Sequence, residues 1–238
     1  MPTFIGIGDE KLWLCPTLDD SPNDLSGGNH NGTYINQAAT AASSGAGGTL
    51  AYQFDGTDDM LDVASPPDLD DDSRATISMW CKASSVVNWM SPGGYVTSAF
   101  DDYRLTWRKT NSALLQGYAR YSNNRRGTSY WSYTNTLTEW NHYLVLADSG
   151  SVYFYVNGAQ VGSATGGTGN LDLGSTFTLG SQDQRSGGSF WNGYIDDVRV
   201  FARAIETEEI AHLSSARGVL ESAYPDATQI QRTLLGVG

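Results

Sequence analysis

The chain has 238 residues and a formal net charge of −12, a length that one all-β domain can fill and that suffices to bury a sizeable core. The acidic balance argues against nucleic acid as the partner of the whole surface, and no apolar run is long enough to span a bilayer as a helix. Two cysteines, Cys15 and Cys81, are too few for a disulfide framework. They read as buried free thiols, or as one bridge in an oxidising compartment.

In chain order, residues 1–15 read as a strand ending in Lys11-Leu12-Trp13-Leu14-Cys15, without the basic region and apolar core of a secretory signal at Met1–Gly6. A polar, glycine-rich loop covers 16–33 and a flexible connection 38–48. Strand pattern resumes over 49–54 and breaks at Asp55-Gly56-Thr57-Asp58-Asp59, whose residues favour a turn. The acidic stretch 66–72 reads as a solvated loop. Ala75–Cys81 and Tyr103–Arg108 alternate as half-buried strands do, and further strands are expected at 114–121, 128–133, 142–147 and 151–156. Asn157-Gly158 marks a two-residue hairpin, since a type I′ turn needs positive φ at both positions. Strands then recur at 159–163, 176–180 and 190–201. A short helix over 206–215 has Glu206, Glu208 and Glu209 at its start, where negative charge complements the dipole. Many short strands with turns at short intervals predict an all-β, two-sheet antiparallel jelly-roll sandwich with one short C-terminal helix. The domain runs 1–215, and a tail over 216–238 packs on it or on a neighbouring subunit.

The last strand carries an unusual pattern. From Asp196 the alternation sets Asp196, Val198 and Val200 on one side and Asp197, Arg199 and Phe201 on the other. If the valines face the core, Asp196 is expected inward, where a carboxylate must be hydrogen-bonded or bound to a cation.

This strand and the segment after it, Trp191 to Ile210, resemble the closing strand and helix of the laminin G-like, concanavalin A-like jelly rolls. So do Asp24–Thr33 as entry loop, Phe54–Asp59 as the early strand-turn signature, Glu139-Trp140-Asn141-His142 as a strand opening, and Tyr155-Val156-Asn157-Gly158 as the central hairpin. The resemblance covers about residues 10–213. It implies a structural calcium on an inward aspartate of the closing strand, which Asp196 matches; the Gly56 carbonyl and Asp59 are added as ligands from loop chemistry. Sugar-cleaving relatives carry two glutamates and an aspartate alternating along one strand, and no strand here has that pattern. The histidines show neither triad order nor zinc spacing. A non-catalytic protein is expected, with a polysaccharide hydrolase as the remote alternative.

The most individual stretch runs from Tyr103 to Thr138. It holds Arg104, Arg108, Lys109, Arg120, Arg125 and Arg126 and no acid, so removing six positives from the total of −12 leaves −18 on the rest. If Leu105 and Trp107 face the core with Tyr103, then Arg104, Thr106 and Arg108 line the outer face, with Gln116, Tyr118 and Arg120 beside them. The loop with Arg125 and Arg126 follows, then Tyr130 and Trp131. Arginine forks suit anions, and aromatic faces suit sugar rings or protein hot spots. A plainer arrangement is also open: aromatics in the core and arginines solvating one face. The expected partner is an anionic glycan or the acidic surface of a larger assembly. The protein is then a virion-associated decoration protein, which would need no signal, or alternatively a free secreted lectin.

Overall fold

The computed structural model describes residues 7–16, 18–36, 38–41, 45–46, 50–70, 72–87, 89–96, 103–110, 114–132, 137–181 and 190–215. The expected tail over 216–238 lies outside them. Two antiparallel sheets face each other. One runs β14 (Ala159–Ala164), β13 (Ser151–Val156), β12 (Asn141–Asp148), β6 (Arg74–Ala83), β16 (Asn192–Phe201), β4 (Ala51–Asp55) and β3 (Ala39–Ala41), with β1 (Glu10–Leu14) also paired to β16. The other runs β10 (Asn124–Gly127), β9 (Leu114–Tyr121), β8 (Tyr103–Lys109), β7 (Gly93–Val96), β15 (Phe177–Leu179), β5 (Met60–Val63) and β2 (Gly32–Ile35), with β11 (Trp131–Ser132) on β9. Helix α1 (Thr207–Ser215) lies against the outer face of the first sheet, burying Ile210 and Leu213 with Leu144, Leu146 and Phe201.

Between the sheets, alternate residues of β6, β9, β12 and β13 form the core. Trp107 stacks on Tyr143 at 4.1 Å between centroids and meets Trp191 edge-on at 5.7 Å. Cys15 and Cys81 are buried free thiols. The Asn157-Gly158 turn has φ of 50° and 81°, as type I′ requires. Asn157 also ties the hairpin to β12, because its Oδ1 accepts the His142 amide at 2.9 Å. The helix begins with half of a capping box, the Glu209 carboxylate accepting the Glu206 amide at 2.7 Å, and its first backbone bond runs from the Ile210 amide to the Glu206 carbonyl at 3.0 Å.

Several segments depart from the pattern reading, among them Gly32–Ile35, which begins in the expected loop 16–33 and forms β2 beside β5. Ala39–Ala41, read as a connection, pairs with β4; small residues carry little strand signal of their own. Met60–Val63 forms β5 directly after the acidic turn. Gly93–Val96 forms β7 despite two glycines, and needs them. A Cβ on Gly93 would fall 2.0 Å from the Thr178 carbonyl, and one on Gly94 2.5 Å from that of Leu105. Of the expected strand over 128–133, Trp131–Ser132 pairs as β11 among the described residues, while Asn124–Gly127, read as a loop, forms β10.

The parity of β16 is broken. A bulge lies between Asp196 and Arg199, with Asp197 left-handed at φ 47°. Val198 and Val200 join the core. An alternation carried straight through Asp196 therefore does not fix where that side chain points, because the extra residue shifts the register. Asp196 is fully buried, and its Oδ1 accepts the Asp197 amide at 2.8 Å.

Candidate functional site

The outer face of the second sheet gathers four of the eight expected binding residues, Arg104, Arg108, Tyr118 and Arg120. Leu105 and Trp107 are in the core as expected, but Tyr103 is not with them. A register shift in the β7–β8 pairing places Tyr103 opposite Val96, and its ring stacks on Tyr118 at 5.0 Å and 19°. Tyr118 stands opposite Thr106 and Arg108 opposite Gln116, so these side chains share one face. The Arg108 guanidinium lies 4.6 Å from the Tyr103 ring, 5.0 Å from Tyr118 and 5.0 Å from Trp89. Arg108 is 8% exposed and Trp89 41%. Ring quadrupoles offset part of the hydration that an enclosed cation gives up. Gln116 joins the group by accepting from the Tyr118 hydroxyl and donating to the Thr128 carbonyl at 2.6 Å.

Arg104 and Arg120 are held differently. Both bind Asp172, Arg104 through Nη1 at 2.6 Å and Arg120 through Nε at 3.0 Å, and the Asp172 amide donates to the Arg120 carbonyl at 3.0 Å. The stretch that lacks acids in sequence thus receives one from the segment before β15. Arg125 pairs with Arg120 and Arg126 with Ala119 across β10 and β9; the side chains of Arg125 and Arg126 lie outside the described residues. Tyr130 is exposed, while Trp131 is partly buried against the core. The structure thus brings Arg108, Tyr118, Arg104 and Arg120 to one face and adds Trp89 and Asp172, which pattern reading missed. Trp89 had a signal: it closes an apolar run, Val86-Val87-Asn88-Trp89, in a connection flanked by Ser84-Ser85 and Ser91-Pro92. Asp172 had none, because only the fold brings it near.

The acidic turn forms a second cluster. Among the described residues, Asp55, Asp58 and Asp59 bring carboxylate oxygens within 4.8 Å of one another. Asp55 Oδ1 accepts the Thr57 amide at 2.7 Å, and Asp59 Oδ2 accepts the Asp55 amide at 3.0 Å. Gly56 supplies the left-handed position, at φ 79°. Three convergent carboxylates fit the oxygen preference of calcium. Asp196, expected to share a metal with Asp59 and Gly56, is not among them.

Beneath α1 lies a buried polar layer. Asp197 accepts from Trp13 Nε1 at 2.8 Å and from Arg199 Nε at 3.0 Å, and Arg199 Nη1 also reaches Glu10 at 3.1 Å. His142 Nε2 is 2.7 Å from the Ser78 hydroxyl, and burial pushes its pKa down to about 3. Burial works against the Arg199 charge, yet Asp197 and Glu10 together hold its pKa above the usual value. Two opposed charges this close, closed over by a helix, form a structural clamp.

Residues 55–211 match the family described as the concanavalin A-like lectin/glucanases superfamily. No curated protein matches the chain significantly by sequence. Among solved structures, domain 4 of AbnA, an extracellular arabinanase from Geobacillus stearothermophilus, in complex with arabinotriose, has a TM-score of 0.61 at 15% identity. That likeness covers 87% of this chain and 98% of that one. The binding domain of Paraclostridial mosquitocidal protein 1 has a TM-score of 0.66 at 14% identity, covering 87% of this chain and 52% of that one. The botulinum neurotoxin serotype D binding domain has 0.65 at 15%, covering 88% and 52%. The chain spans about half the length of these two toxin domains, and at such identities the likeness is one of fold. Among the described residues no helix is long and apolar enough to cross a membrane.

Proposed function

Because the chain belongs to the concanavalin A-like lectin/glucanases superfamily, we propose that it is a non-catalytic carbohydrate-binding module. It takes an anionic glycan at the outer face of the second sheet. The observation that carries this reading is the Arg108 guanidinium set among Trp89, Tyr103 and Tyr118. Aromatic faces that meet a sugar ring stand there beside a fork that reads an acidic substituent. A structural neighbour bound to arabinotriose supports the glycan class. Docking on an acidic protein surface is less favoured, because Arg104 and Arg120 already direct charge to Asp172. The same face serves a virion-bound protein or a free extracellular lectin equally. A structural calcium belongs to this reading, held by Asp55, Asp58 and Asp59.

Calorimetric titration of the full chain with trigalacturonate and with its neutral methyl ester tests the proposal. Binding is expected for the acidic sugar, weakening as salt rises. No binding of either sugar, or equal binding insensitive to salt, refutes the anionic-glycan assignment.

A further inference from the structure

Helix α1 rests on strands that are complete without it, because β12 already pairs with β6 on one side and β13 on the other. Its last turn forms a roof. The Leu213 carbonyl accepts Trp80 Nε1 at 3.3 Å, and Ser214 lies so close to the hairpin that a Cβ on Gly158 would fall 2.6 Å from its hydroxyl. His142 stands on β12 between these two supports. It is opposite Trp80, whose ring centroid lies 5.4 Å from its own, and its amide donates to Asn157. Its side chain is 1% exposed and shares a face with Leu144 and Leu146, which α1 covers. Around it, β6 places the Ser78 hydroxyl 2.7 Å from Nε2, β16 brings Asp197 and Arg199, and β1 brings Glu10 to Arg199. From above, α1 brings His212 to the same Asp197 and Arg199, while β13 sets Tyr155 against the helix cluster.

We propose that α1 is an acid-operated flap: protons taken up at His142 and His212 lift its last turn from the first sheet and uncover Leu144, Leu146 and Phe201. Burial holds both histidines below their ordinary pKa, His142 at about 3; Asp197 pulls the other way and Arg199 adds to the depression. Tyr155, which burial holds above its ordinary value, stays neutral throughout. An exposed histidine titrates near 6.5, so the lifted state binds protons that the docked state refuses. The docked state is fully favoured above that value and loses ground as pH falls. By pH 5, His142 alone shifts the balance towards the lifted state by about 30-fold, and His212 adds in the same direction. The other end of the helix stays fixed. Arg203 holds Glu209 through two bonds of 2.7 Å, which keep that carboxyl below its ordinary value, and it also grips Asp9. The helix therefore hinges at its start, and no strand pairing has to break. This device works whether or not the second sheet takes a glycan.

Hydrogen exchange of the full chain, read by mass spectrometry over 207–215 and divided by the unstructured-peptide rate at each pH, measures the lifting. Between pH 7.5 and 5 the protection of α1 should fall about 30-fold or more. At each pH it should also lie at least about tenfold below that of β6 and β12, since the helix opens without them. His142→Gln, which can keep a bond to Ser78, should take about 30-fold out of the fall. Adding His212→Gln should abolish the rest. Unchanged protection of α1 in the parent overturns the flap without reference to any variant. Equal protection of helix and strands at each pH means global unfolding and overturns it too. A fall that survives intact in His142→Gln, or persists in a double variant shown by circular dichroism to be folded, overturns the histidine assignment.

Discussion

The clamp beneath the helix makes a quantitative prediction at Asp197. Its carboxylate is 6% exposed and accepts from Trp13 Nε1 at 2.8 Å and from Arg199 Nε and Nη2 at 3.0 and 3.2 Å. Asp197→Ala strands the Trp13 donor, a buried group that then costs about 1–3 kcal/mol. It also takes one of two carboxylates from Arg199. Loss of a whole buried partner costs about 3–5 kcal/mol, and the remaining bond to Glu10 roughly halves that. Alanine at φ 47° adds about 1 kcal/mol, because its Cβ crowds the following carbonyl. Asp197→Ala should therefore lose about 4–5 kcal/mol, whereas Asp197→Asn, which keeps an acceptor and tolerates the backbone, should lose about half as much. Adding Arg199→Met to Asp197→Ala should not restore stability, since the buried Glu10 carboxylate then loses its guanidinium. Urea unfolding at neutral pH with matched m-values measures all three. If Asp197→Ala lies within about 1 kcal/mol of the parent, the clamp does not hold the fold and the reasoning is wrong.

Burial of His142 and the acidic turn each set a further expected outcome. The His142 pKa, depressed by burial to about 3, lies below the unfolded value of about 6.5. The unfolded chain therefore takes up the extra proton between those values, and the stabilisation present above pH 6.5 is lost as pH falls. Lowering pH from 6.5 to 5 should cost the parent about 2 kcal/mol more than His142→Gln; parallel pH profiles for the two proteins exclude this histidine. Calcium at millimolar concentration should raise the unfolding temperature through Asp55, Asp58 and Asp59, and Asp58→Asn should blunt the rise. Midpoints unchanged between calcium and chelator would rule out a structural metal at this turn.

Most of the fold was legible because alternation and turn chemistry are local. Residues 114–121 and 151–156, the Asn157-Gly158 turn and the closing helix needed only neighbours along the chain. β7 was not, since Gly93 and Gly94 are chosen by backbones from β8 and β15 that crowd them. The outer face was half legible. Parity placed Arg108 beside Tyr118, but a one-residue register shift brought Tyr103 to them, and Asp196 is buried as expected although a bulge separates it from the valines whose side it was to share. A bulge leaves no mark in a hydrophobic pattern, because it adds a residue without changing composition. The basic stretch was misleading as a charge map for a similar reason. Local composition cannot anticipate Asp172, which arrives from 52 residues beyond Arg120.

The strand β16 serves two partners along a single edge. Its first half pairs with β4 through Asn192–Ile195, its second half with β1 through Val198–Phe201, and the bulge falls at the handover. For a ribosome-bound chain this sets an order of events. The N-terminal strand emerges early but must wait for partners such as Arg199, which binds Glu10 across 189 residues. At ordinary synthesis rates that interval is about 10–40 s. Until then β1 and β4 present open edges, and β6 lacks one neighbour. Closure by the last strand makes the sandwich cooperative once complete, and leaves the nascent chain dependent on protection while it lengthens.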